Sequence, residues 1–410
     1  MDSYETIVVG AGAAGLVAAA EAASRGRRTL LLEKNRRAGV KILMSGGTRC
    51  NLTHATDKWG IIRAYGEQGK FLHSALAALS PADLVRMIED EGVPTKVEET
   101  GKIFPVSNRA TDVLAALVRR LERSGAELAT EEAVQQIQRR DDGFALSTNK
   151  RELISLKLII TVGGQSYPGS GTTGDGYAWA ATFGHAIIPP RPALVPLTTS
   201  DQWVRELSGI TIPDVSVQLF AAGHDRPIDE RRGSLLFTHF GLSGPVVLDI
   251  SRSFTALANP AGARVICDFL PDLSVDQLND ELRQSAAADG KRLVANLLAE
   301  RLPKRLIEAL LPLAGLSADQ RAAEFSKQAR TALCRALKST AIVIVGTRGF
   351  AKAEVTAGGV SLDEIDSRTL ESKLVPGLYF AGEILDLDGP IGGYNFQAAF
   401  STGTLAGRCV

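Results

Sequence analysis

The first forty residues alternate between short apolar runs and a glycine-rich turn. Residues 6–9 are mostly apolar and β-branched, which predicts a buried parallel strand. Residues 13–24 are rich in alanine and predict a helix that ends at Gly26. Residues 29–33 predict a second strand, so the order of elements is that of a βαβ unit.

Helical and strand-like patterns continue up to residue 162. Ser80 and Pro81 predict the start of a helix that ends at Gly92, and the apolar face of residues 111–124 predicts another. Residues 134–148 predict a hairpin that turns at Asp141-Asp142-Gly143. Residues 156–162 predict an apolar strand that returns to the sheet.

A different pattern follows the prolines at residues 189–196, which indicate a domain boundary. Predicted strands there are residues 215–220, 235–238 and 265–269. Residues 275–338 have a helical pattern in which Ser317 is a candidate N-cap, and residues 378–381 resume the buried-strand pattern. We therefore predict a discontinuous domain formed by residues 1–192 and 346–410, interrupted by an inserted domain of residues 193–345.

Composition narrows the class of protein. The 410 residues include 46 basic and 46 acidic side chains, so we expect neither a nucleic acid nor an anionic membrane as partner. The four cysteines form no CxxC pair, which argues against a disulfide framework and a zinc site and favours a reducing, cytoplasmic location. No apolar run is long enough for a membrane-spanning helix, and no metal site is expected.

The turn between the first strand and helix has the GxGxxG pattern. Gly10 permits a tight turn, Gly12 lets a diphosphate approach the start of the helix, and Gly15 permits close packing of helix and strand. Glu33 ends the second strand, where its carboxylate can accept hydrogen bonds from a ribose. The spacing predicts a site for a dinucleotide, either NAD or FAD.

Residues near the C-terminus favour FAD. Gly382-Glu383 follows the predicted strand 378–381, where Rossmann-type flavoproteins place an acid near the ribityl chain; Asp386 or Asp388 could share this role. Gly392-Gly393-Tyr394-Asn395 starts the last helix, with Asn395 as a candidate N-cap. The N-terminus of a helix would stabilise the negative charge of reduced flavin.

A second anion-binding loop is predicted at residues 45–51. Successive glycine N–H groups there can bind a phosphate, with charge from Arg49 and assistance from Lys41. Residues 169–174 also spell GxGxxG, but no βαβ unit surrounds them, so we interpret them as a loop beside the same flavin. Candidate catalytic residues are His239, Cys50 and Tyr394, with a structural role as the alternative for each.

Several long motifs carry a resemblance to a known family. They are VVGAGAAGL, VKILMSGGTRCNLTH, TVGGQSYPGSGTTGDGY, LLFTHFGLSGPV and LYFAGEILDLDGPIGGYNFQAAFSTG. Together they resemble the aminoacetone-oxidase-like FAD-binding family of predicted NAD(P)/FAD-dependent oxidoreductases. The resemblance implies an α/β fold: a Rossmann-like FAD-binding domain with an inserted domain that has a β-barrel-like part and a helical part.

The motifs and the resemblance together give the candidate cofactor site. Its residues are Gly10, Gly12, Ala13, Ala14, Gly15, Glu33, Lys34, Lys41, Ser45, Gly46, Gly47, Arg49, Cys50, Asn51, Val134, Gly163, Gly164, Gly382, Glu383, Asp386, Gly392, Gly393, Tyr394, Asn395 and Phe396. We predict an FAD-dependent oxidoreductase that acts on a small molecule by hydride transfer through flavin N5, with NAD(P)H as a candidate electron donor. The alternatives are an RNA-modifying flavoprotein and a non-catalytic flavin sensor.

Overall fold

A computed structural model describes residues 2–410. Its strands are β1 (Asp2–Val9), β2 (Thr29–Leu32), β3 (Thr53–His54), β4 (Thr95–Val97), β5 (Lys102–Pro105), β6 (Glu127–Ala129), β7 (Val134–Arg140), β8 (Gly143–Thr148), β9 (Glu152–Ile160), β10 (Ile187–Ala193), β11 (Leu197–Thr198), β12 (Thr211–Phe220), β13 (Asp229–Thr238), β14 (Gly241–Ser243), β15 (Arg264–Asp268), β16 (Thr340–Val343), β17 (Gly346–Thr347), β18 (Val355–Val360) and β19 (Leu378–Phe380).

Thirteen α-helices lie within residues 2–410, and none of them is long and apolar enough to cross a membrane. They are α1 (Ala13–Ser24), α2 (Val40–Thr48), α3 (Lys58–Ala64), α4 (His73–Ala78), α5 (Pro81–Glu89), α6 (Ala110–Ser124), α7 (Asp175–Thr182), α8 (Gln202–Glu206), α9 (Pro245–Thr255), α10 (Val275–Ala288), α11 (Lys304–Leu310), α12 (Lys327–Lys338) and α13 (Tyr394–Cys409).

The largest sheet of the first part has the strand order β6-β2-β1-β9-β8-β7, and β19 also pairs with β9. Strands β6, β2, β1, β9 and β19 are parallel, and the β7–β8–β9 meander is antiparallel. Ile7, Leu30 and Leu158 are fully buried, as the apolar pattern of a parallel sheet requires. The predicted Rossmann-like architecture is confirmed.

Strand β9 joins the distant parts of this sheet. Its first half pairs with β8, through residues such as Leu153, and its last three residues pair with β19. The chain therefore returns to the same strand after residue 353. Because β1, β9 and β19 are parallel, their carboxyl ends, at Val9, Ile160 and Phe380, lie at the same edge of the sheet.

The bounds of several predicted strands differ from the observed ones. Strand β1 begins at Asp2 rather than at residue 6, and β9 spans Glu152–Ile160 rather than residues 156–162. Strands β12 and β13 each contain ten residues because their polar halves also pair, for example Gln218 with Glu230. Apolar periodicity therefore missed the first residues of these two strands, 211–214 of β12 and 229–234 of β13.

Helix α2 was not predicted, since residues 39–54 were interpreted as a polar, glycine-rich stretch. The helix begins after Gly39 with Ile42 buried, and its regular geometry is broken at Ser45, Gly46 and Gly47. Two small sheets complete this part: β3-β5-β4, all antiparallel, and β10-β18.

The contacts between residues divide the chain into two compact units. One extends to Pro192 and includes Glu354–Val410, and the other is Ala193–Ala353. The prediction placed the second boundary at residue 345, eight residues earlier. Each unit has its own core of buried side chains, for example Ile7 in the first and Phe237 in the second.

The second unit contains a sheet with the order β16-β15-β12-β13-β14-β11-β17. The two edge strands, β16 and β17, are separated by only Ile344 and Val345 in the chain. Ile344 N–H donates to the Ala263 carbonyl at one edge, and Val345 N–H donates to the Thr198 carbonyl at the other. The sheet therefore curls until its edges meet, which is the geometry expected of a β-barrel-like part.

The helical half of the second unit is more broken than the sequence pattern predicts. Helices α10, α11 and α12 alternate with short 3₁₀ turns. The prediction that Ser317 caps a helix is wrong, because residues 317–321 form no helix. The cap of α12 is Ser326, whose hydroxyl accepts a hydrogen bond from the Ala329 N–H at 3.2 Å.

Candidate functional site

The turn after β1 has the geometry that each of its glycines requires. Gly10 has φ = 99°, and a β-carbon there would lie 2.9 Å from the Thr161 carbonyl oxygen. A β-carbon on Gly15 would overlap the Gly10 carbonyl oxygen, whereas a β-carbon on Gly12 would meet nothing within 4 Å. The turn is therefore packed on its inner side and open at Gly12, where α1 begins and its N–H groups are available to an anion.

Glu33 lies directly beside this turn. Its carboxylate accepts hydrogen bonds from the Ala11 N–H at 2.9 Å and from the Asn35 N–H at 2.8 Å, and the residue is 8% exposed. The next residue, Lys34, donates to Thr173 and forms an ion pair with Asp175, both at 2.6 Å. The loop that repeats the GxGxxG spelling is thus held against the end of β2.

The first and last helices of the chain pack side by side and run in the same direction. A β-carbon on Gly403 would overlap the Ala14 carbonyl oxygen, and one on Gly407 would overlap the Ala18 carbonyl oxygen. Ala13 therefore corresponds in register to Thr402, eight residues after α13 begins. At about 1.5 Å per residue, α13 starts about 12 Å beyond the start of α1 on the same side. The N-termini of the two neighbouring helices are thus staggered by about 12 Å along the helix axes.

The N-terminus of α13 is tied to the loop that follows α2. With its amide oriented to satisfy both groups, Asn51 donates to the Thr53 carbonyl at 3.1 Å and accepts from the Gly393 N–H at 3.0 Å. Gly393, with φ = 96°, is the N-cap residue, and no side chain caps this helix. The prediction that Asn395 is the N-cap is therefore wrong.

The side-chain amide of Asn395 forms hydrogen bonds with the loop that precedes α13. Its oxygen accepts from the Gly389 N–H at 2.8 Å, and its nitrogen donates to the carbonyls of Gly389 and Pro390. Because these bonds consume the amide, Asn395 shapes the loop before α13 instead of closing the helix end. The Asn395 side chain therefore does not cap the first turn of α13.

Lys41 and Glu383 form the centre of a polar cluster between three loops. Their ion pair has a nitrogen–oxygen distance of 2.6 Å. Ser166 bonds to both, since it accepts from Lys41 and donates to Glu383 at 2.6 Å each. The Thr356 N–H donates to Glu383 at 2.9 Å. Two residues predicted to meet the cofactor separately are thus joined to each other, 342 positions apart in sequence.

The side chain of Arg49 does not stand free beside the glycines of its loop. Its guanidinium forms an ion pair with Glu98 at 2.7 Å and lies 4.0 Å from the centroid of the Phe104 ring. Gly46 and Gly47 do adopt left-handed conformations, with φ of 55° and 66°. The expected nest of N–H groups is therefore supported by the backbone, while the Arg49 charge is balanced by a carboxylate.

Cys50 is fully buried next to this loop. Burial raises the pKa of its thiol to about 12, with a smaller opposite effect from the Ser45 hydroxyl. The side chain is thus a protonated thiol at neutral pH, which is a poor nucleophile. A structural role fits Cys50 better than the catalytic role considered above.

The acidic loop after β19 contains a second unusual carboxyl group. Burial raises the pKa of Asp386, and the charge of Asp388 adds to this effect. The Asp386 carbonyl accepts a hydrogen bond from the Gln68 side chain at 2.8 Å. Tyr177 on α7 is affected by the same acids: burial, then the charges of Glu383 and Asp386, raises its pKa.

Three predicted residues lie outside these clusters. Val134 is the first residue of β7. The segment just before it approaches the site, because the Glu132 N–H donates a hydrogen bond to the Glu33 carbonyl. Phe396 stacks on Phe400 one turn further along α13. His239 belongs to the second unit, where it is exposed in the turn between β13 and β14.

Sequence reasoning missed four residues that the fold brings to the site. Ser166 lies within a motif that was recognised as a whole, and Thr356 gives no signal in the sequence. The Tyr177 hydroxyl is buried and has no hydrogen-bond partner among residues 2–410. His54 was not among the predicted residues, yet its ring stacks on Tyr394 with 4.8 Å between centroids. Only contacts between distant loops reveal these roles.

The parallel sheet, the glycine turn and the antiparallel meander define a Rossmann-type FAD-dependent oxidoreductase. Residues 4–409 match the HI0933-like protein Rossmann domain, and the chain belongs to that family. The resemblance seen in the motifs is thereby confirmed for the family of Rossmann FAD-binding proteins. The narrower aminoacetone-oxidase-like assignment stays a prediction.

Relatives cover nearly the whole chain. A ribosomal RNA dihydrouridine synthase of Escherichia coli (strain K12) is 36% identical, over 98% of this chain and 96% of its own length. A protein of the same name from Haemophilus influenzae is 34% identical, over 98% and 97%. The 3-dehydro-bile acid delta(4,6)-reductase of Clostridium scindens is 32% identical, also over 98% and 97%.

A solved structure supports the fold alone. The Sdh1 complex of Mycobacterium smegmatis in its apo form is similar over 99% of this chain and 67% of that chain, with a TM-score of 0.52 and 17% sequence identity.

Proposed function

We propose that this protein is an FAD-dependent reductase of carbon–carbon double bonds conjugated to a carbonyl group. The observation that carries the proposal is the register of α1 and α13, whose N-termini are offset by about 12 Å along the direction of the helix axes. One terminus suits the diphosphate of FAD, and the other suits the flavin ring. This arrangement matches an extended dinucleotide better than two separate anions.

The residues around the N-terminus of α1 fit the adenosine half of FAD. The open side of Gly12 leaves room for the diphosphate against the N–H groups of α1. Glu33 lies beside the same turn, where its carboxylate can accept from ribose hydroxyls. The left-handed pair Gly46-Gly47 offers further N–H groups to the phosphates.

The residues around the N-terminus of α13 fit the flavin half of FAD. The uncapped start of α13 would stabilise negative charge on the ring. Glu383, held by Lys41 and Ser166, and the unpartnered Tyr177 hydroxyl supply polar groups for the ribityl chain. The chemistry that FAD supplies when bound is hydride transfer at its N5 atom.

The names of the relatives support the choice of substrate class. A dihydrouridine synthase saturates the double bond of uracil next to a ring carbonyl, and a 3-dehydro-bile acid delta(4,6)-reductase acts on double bonds conjugated to a 3-oxo group. Both reactions add hydride to a carbon that a carbonyl makes electrophilic. We propose that this shared chemistry extends to the present chain, with NAD(P)H as the source of electrons.

Two substrates remain candidates within this class. A small enone matches the bile acid reductase and the balanced formal charge of +0. A uracil base in ribosomal RNA matches the two relatives of higher identity, although the sequence led us to expect no nucleic acid partner. We favour reduction of the conjugated double bond as the function and treat both substrates as arms of one test.

The test follows the colour of the flavin. Purified protein is loaded with FAD, made anaerobic and mixed with NADH or NADPH, and bleaching of the flavin absorbance is expected with one of them. The reduced protein is then mixed with a 3-oxo-Δ4 steroid or with an unmodified ribosomal RNA transcript. Return of the oxidised spectrum together with a saturated product supports the proposal.

Three results would contradict it. If the purified protein does not bind FAD, the proposed cofactor is wrong. A flavin that neither nicotinamide nor dithionite reduces would indicate a sensor rather than an enzyme. Reduced flavin that is reoxidised by oxygen but by neither substrate probe would place the protein outside this class of reductases.

A further inference from the structure

His54 contacts the glycine turn that starts α13. It ends β3, and its Nδ1 atom lies 3.2 Å from the Gly392 carbonyl oxygen. Because a carbonyl oxygen can only accept, Nδ1 must carry a hydrogen. The other nitrogen, Nε2, has no hydrogen-bond partner within residues 2–410. Nε2 is therefore the atom that gains and releases a proton.

The imidazole ring is held in one orientation. Tyr394 stacks on it with an interplanar angle of 21°. A β-carbon on Gly101 would come within 2.6 Å of Nε2 and 2.8 Å of Cε1, so Gly101 also packs closely against the ring. Asn51 links the same short strand to Gly393. A ring held in this way keeps its Nε2 atom at one place, as a proton donor requires.

The imidazole ring lies beside the N-terminus of α13, which is the part of the site proposed to bind the flavin ring. Gly392 and Tyr394, which contact His54, flank the N-cap of α13. This terminus lies about 12 Å beyond the diphosphate turn, where the flavin ring is placed by the proposed function. Of the three candidates named from the sequence, Cys50 is a buried thiol and Tyr394 stacks on the His54 ring.

We propose that His54 is the acid that protonates the substrate during reduction of the conjugated double bond, which rests on the proposed function. The β-carbon of the substrate receives a hydride, and the π electrons move towards the carbonyl oxygen. The α-carbon then forms a bond to the proton released from Nε2. The imidazolium becomes a neutral imidazole, solvent restores its proton, and a nicotinamide supplies the two electrons for the next cycle.

Other charged groups surround the ring and enter any pH dependence. Lys102 is the cross-strand partner of His54 in β5. Glu98, near Gly101, is paired with Arg49. Tyr65, which donates to the Tyr394 carbonyl at 3.1 Å, lies on the helix side. All of them remain in place when His54 is replaced, so a pH effect that disappears in a His54 variant reports on the histidine.

The first experiment needs no substrate. The absorbance of oxidised FAD is titrated against pH in the wild type, in His54→Asn and in His73→Asn, which alters an exposed histidine of the same unit. A pH-dependent spectral shift is expected in the wild type and in His73→Asn, and it should be absent from His54→Asn. A shift that persists in His54→Asn, or no shift in the wild type, overturns the placement of His54 beside the flavin.

The second experiment separates the two half-reactions. In His54→Asn, reduction of the flavin by dithionite should proceed at the wild-type rate, while reoxidation by a 3-oxo-Δ4 steroid or a ribosomal RNA transcript should slow by about 100-fold or more. Reoxidation at the wild-type rate overturns the acid role. If neither probe reoxidises the wild type, the proposed function fails, whereas the pH titration still decides the position of His54.

Discussion

The two ends of the proposed FAD site are built in different ways. The diphosphate end is made by the backbone of one short segment, Gly10–Gly15, supported by Glu33. The flavin end is made by side chains from distant segments, such as Asn51 with Gly393 and Lys41 with Glu383. The packed backbone at Gly10 and Gly15 leaves no room for a β-carbon, whereas a side-chain network distributes its stability over several replaceable bonds. A single substitution should therefore lower stability or FAD affinity more at the diphosphate end than at the flavin end.

The largest effect is expected for Gly15→Ala. The new methyl group would overlap the Gly10 carbonyl oxygen, and neither α1 nor β1 can move away because both are buried. We expect the free energy of unfolding to fall by about 3 kcal/mol or more, measured by chemical denaturation without FAD. Gly169→Ala, where a β-carbon meets nothing within 4 Å, is the control. Equal stability of the two variants would show that α1 and β1 are not packed as described.

Gly12→Ala should separate cofactor binding from folding. Gly12 has an ordinary backbone conformation (φ −80°, ψ −166°) and open space beside it, so loss of stability without FAD should be about 1 kcal/mol or less. The methyl group would occupy the place proposed for the diphosphate. We expect FAD affinity, measured by quenching of flavin fluorescence, to fall by roughly 30-fold, or about 2 kcal/mol. Unchanged affinity would move the diphosphate away from this turn.

The same contrast explains how much of the molecule could be predicted from its sequence. The βαβ unit and the roles of Gly10, Gly12 and Gly15 follow from local spacing, and the structure agrees with the packing expected of each glycine. The pairing of Lys41 with Glu383 spans 342 positions, so no local pattern encodes it. Asn395 illustrates the limit, because its residue type fits a helix cap while its amide is used by the preceding loop.

The inserted unit shows a second limit. Ser317 has the residue type of an N-cap, but the chain around it makes a turn and the cap lies at Ser326. The helical half contains enough buried leucines for a core without long regular helices, for example Leu306 and Leu333. Periodicity predicts that such residues are buried, and only tertiary packing decides where each helix breaks.

A smaller effect is expected for Lys41→Met at the flavin end. The variant removes one partner of Glu383 and leaves the bonds from Ser166 and the Thr356 N–H. Because the lysine and glutamate side chains are 28% and 17% exposed, the stability loss should be about 1–2 kcal/mol, below that of a fully buried pair. FAD affinity should fall in parallel, because the position of Glu383 is no longer fixed.

The control for this prediction is Lys304→Met, which removes an exposed pair with Glu308 and should cost about 0.5 kcal/mol or less. A double-mutant cycle with Glu383→Gln isolates the pair itself, since Lys41→Met should cost less when Glu383 is already neutral. An equal cost of Lys41→Met in both backgrounds would show that the ion pair contributes nothing.

The smallest effect should appear as a pH dependence centred on His185. This buried histidine lies 3.1 Å from Glu364 and 2.8 Å from the Ser372 hydroxyl, and its ring packs against Phe380 in β19, the strand that leads to Glu383. Burial lowers the pKa of His185, and the opposing effect of Glu364 is smaller. The unfolded chain then binds a proton more readily than the folded one.

The stabilising contribution of neutral His185 should be complete above about pH 6.5 and be lost as the pH falls through the lower pKa of the folded protein. Free energies of unfolding measured across this range should decline towards acid in the wild type, and the decline should be smaller in His185→Gln. FAD release on acidification should begin at the flavin end, which β19 supports, while the Gly10–Gly15 turn contains no group that titrates there. Parallel pH profiles for the wild type and His185→Gln would remove His185 as the cause.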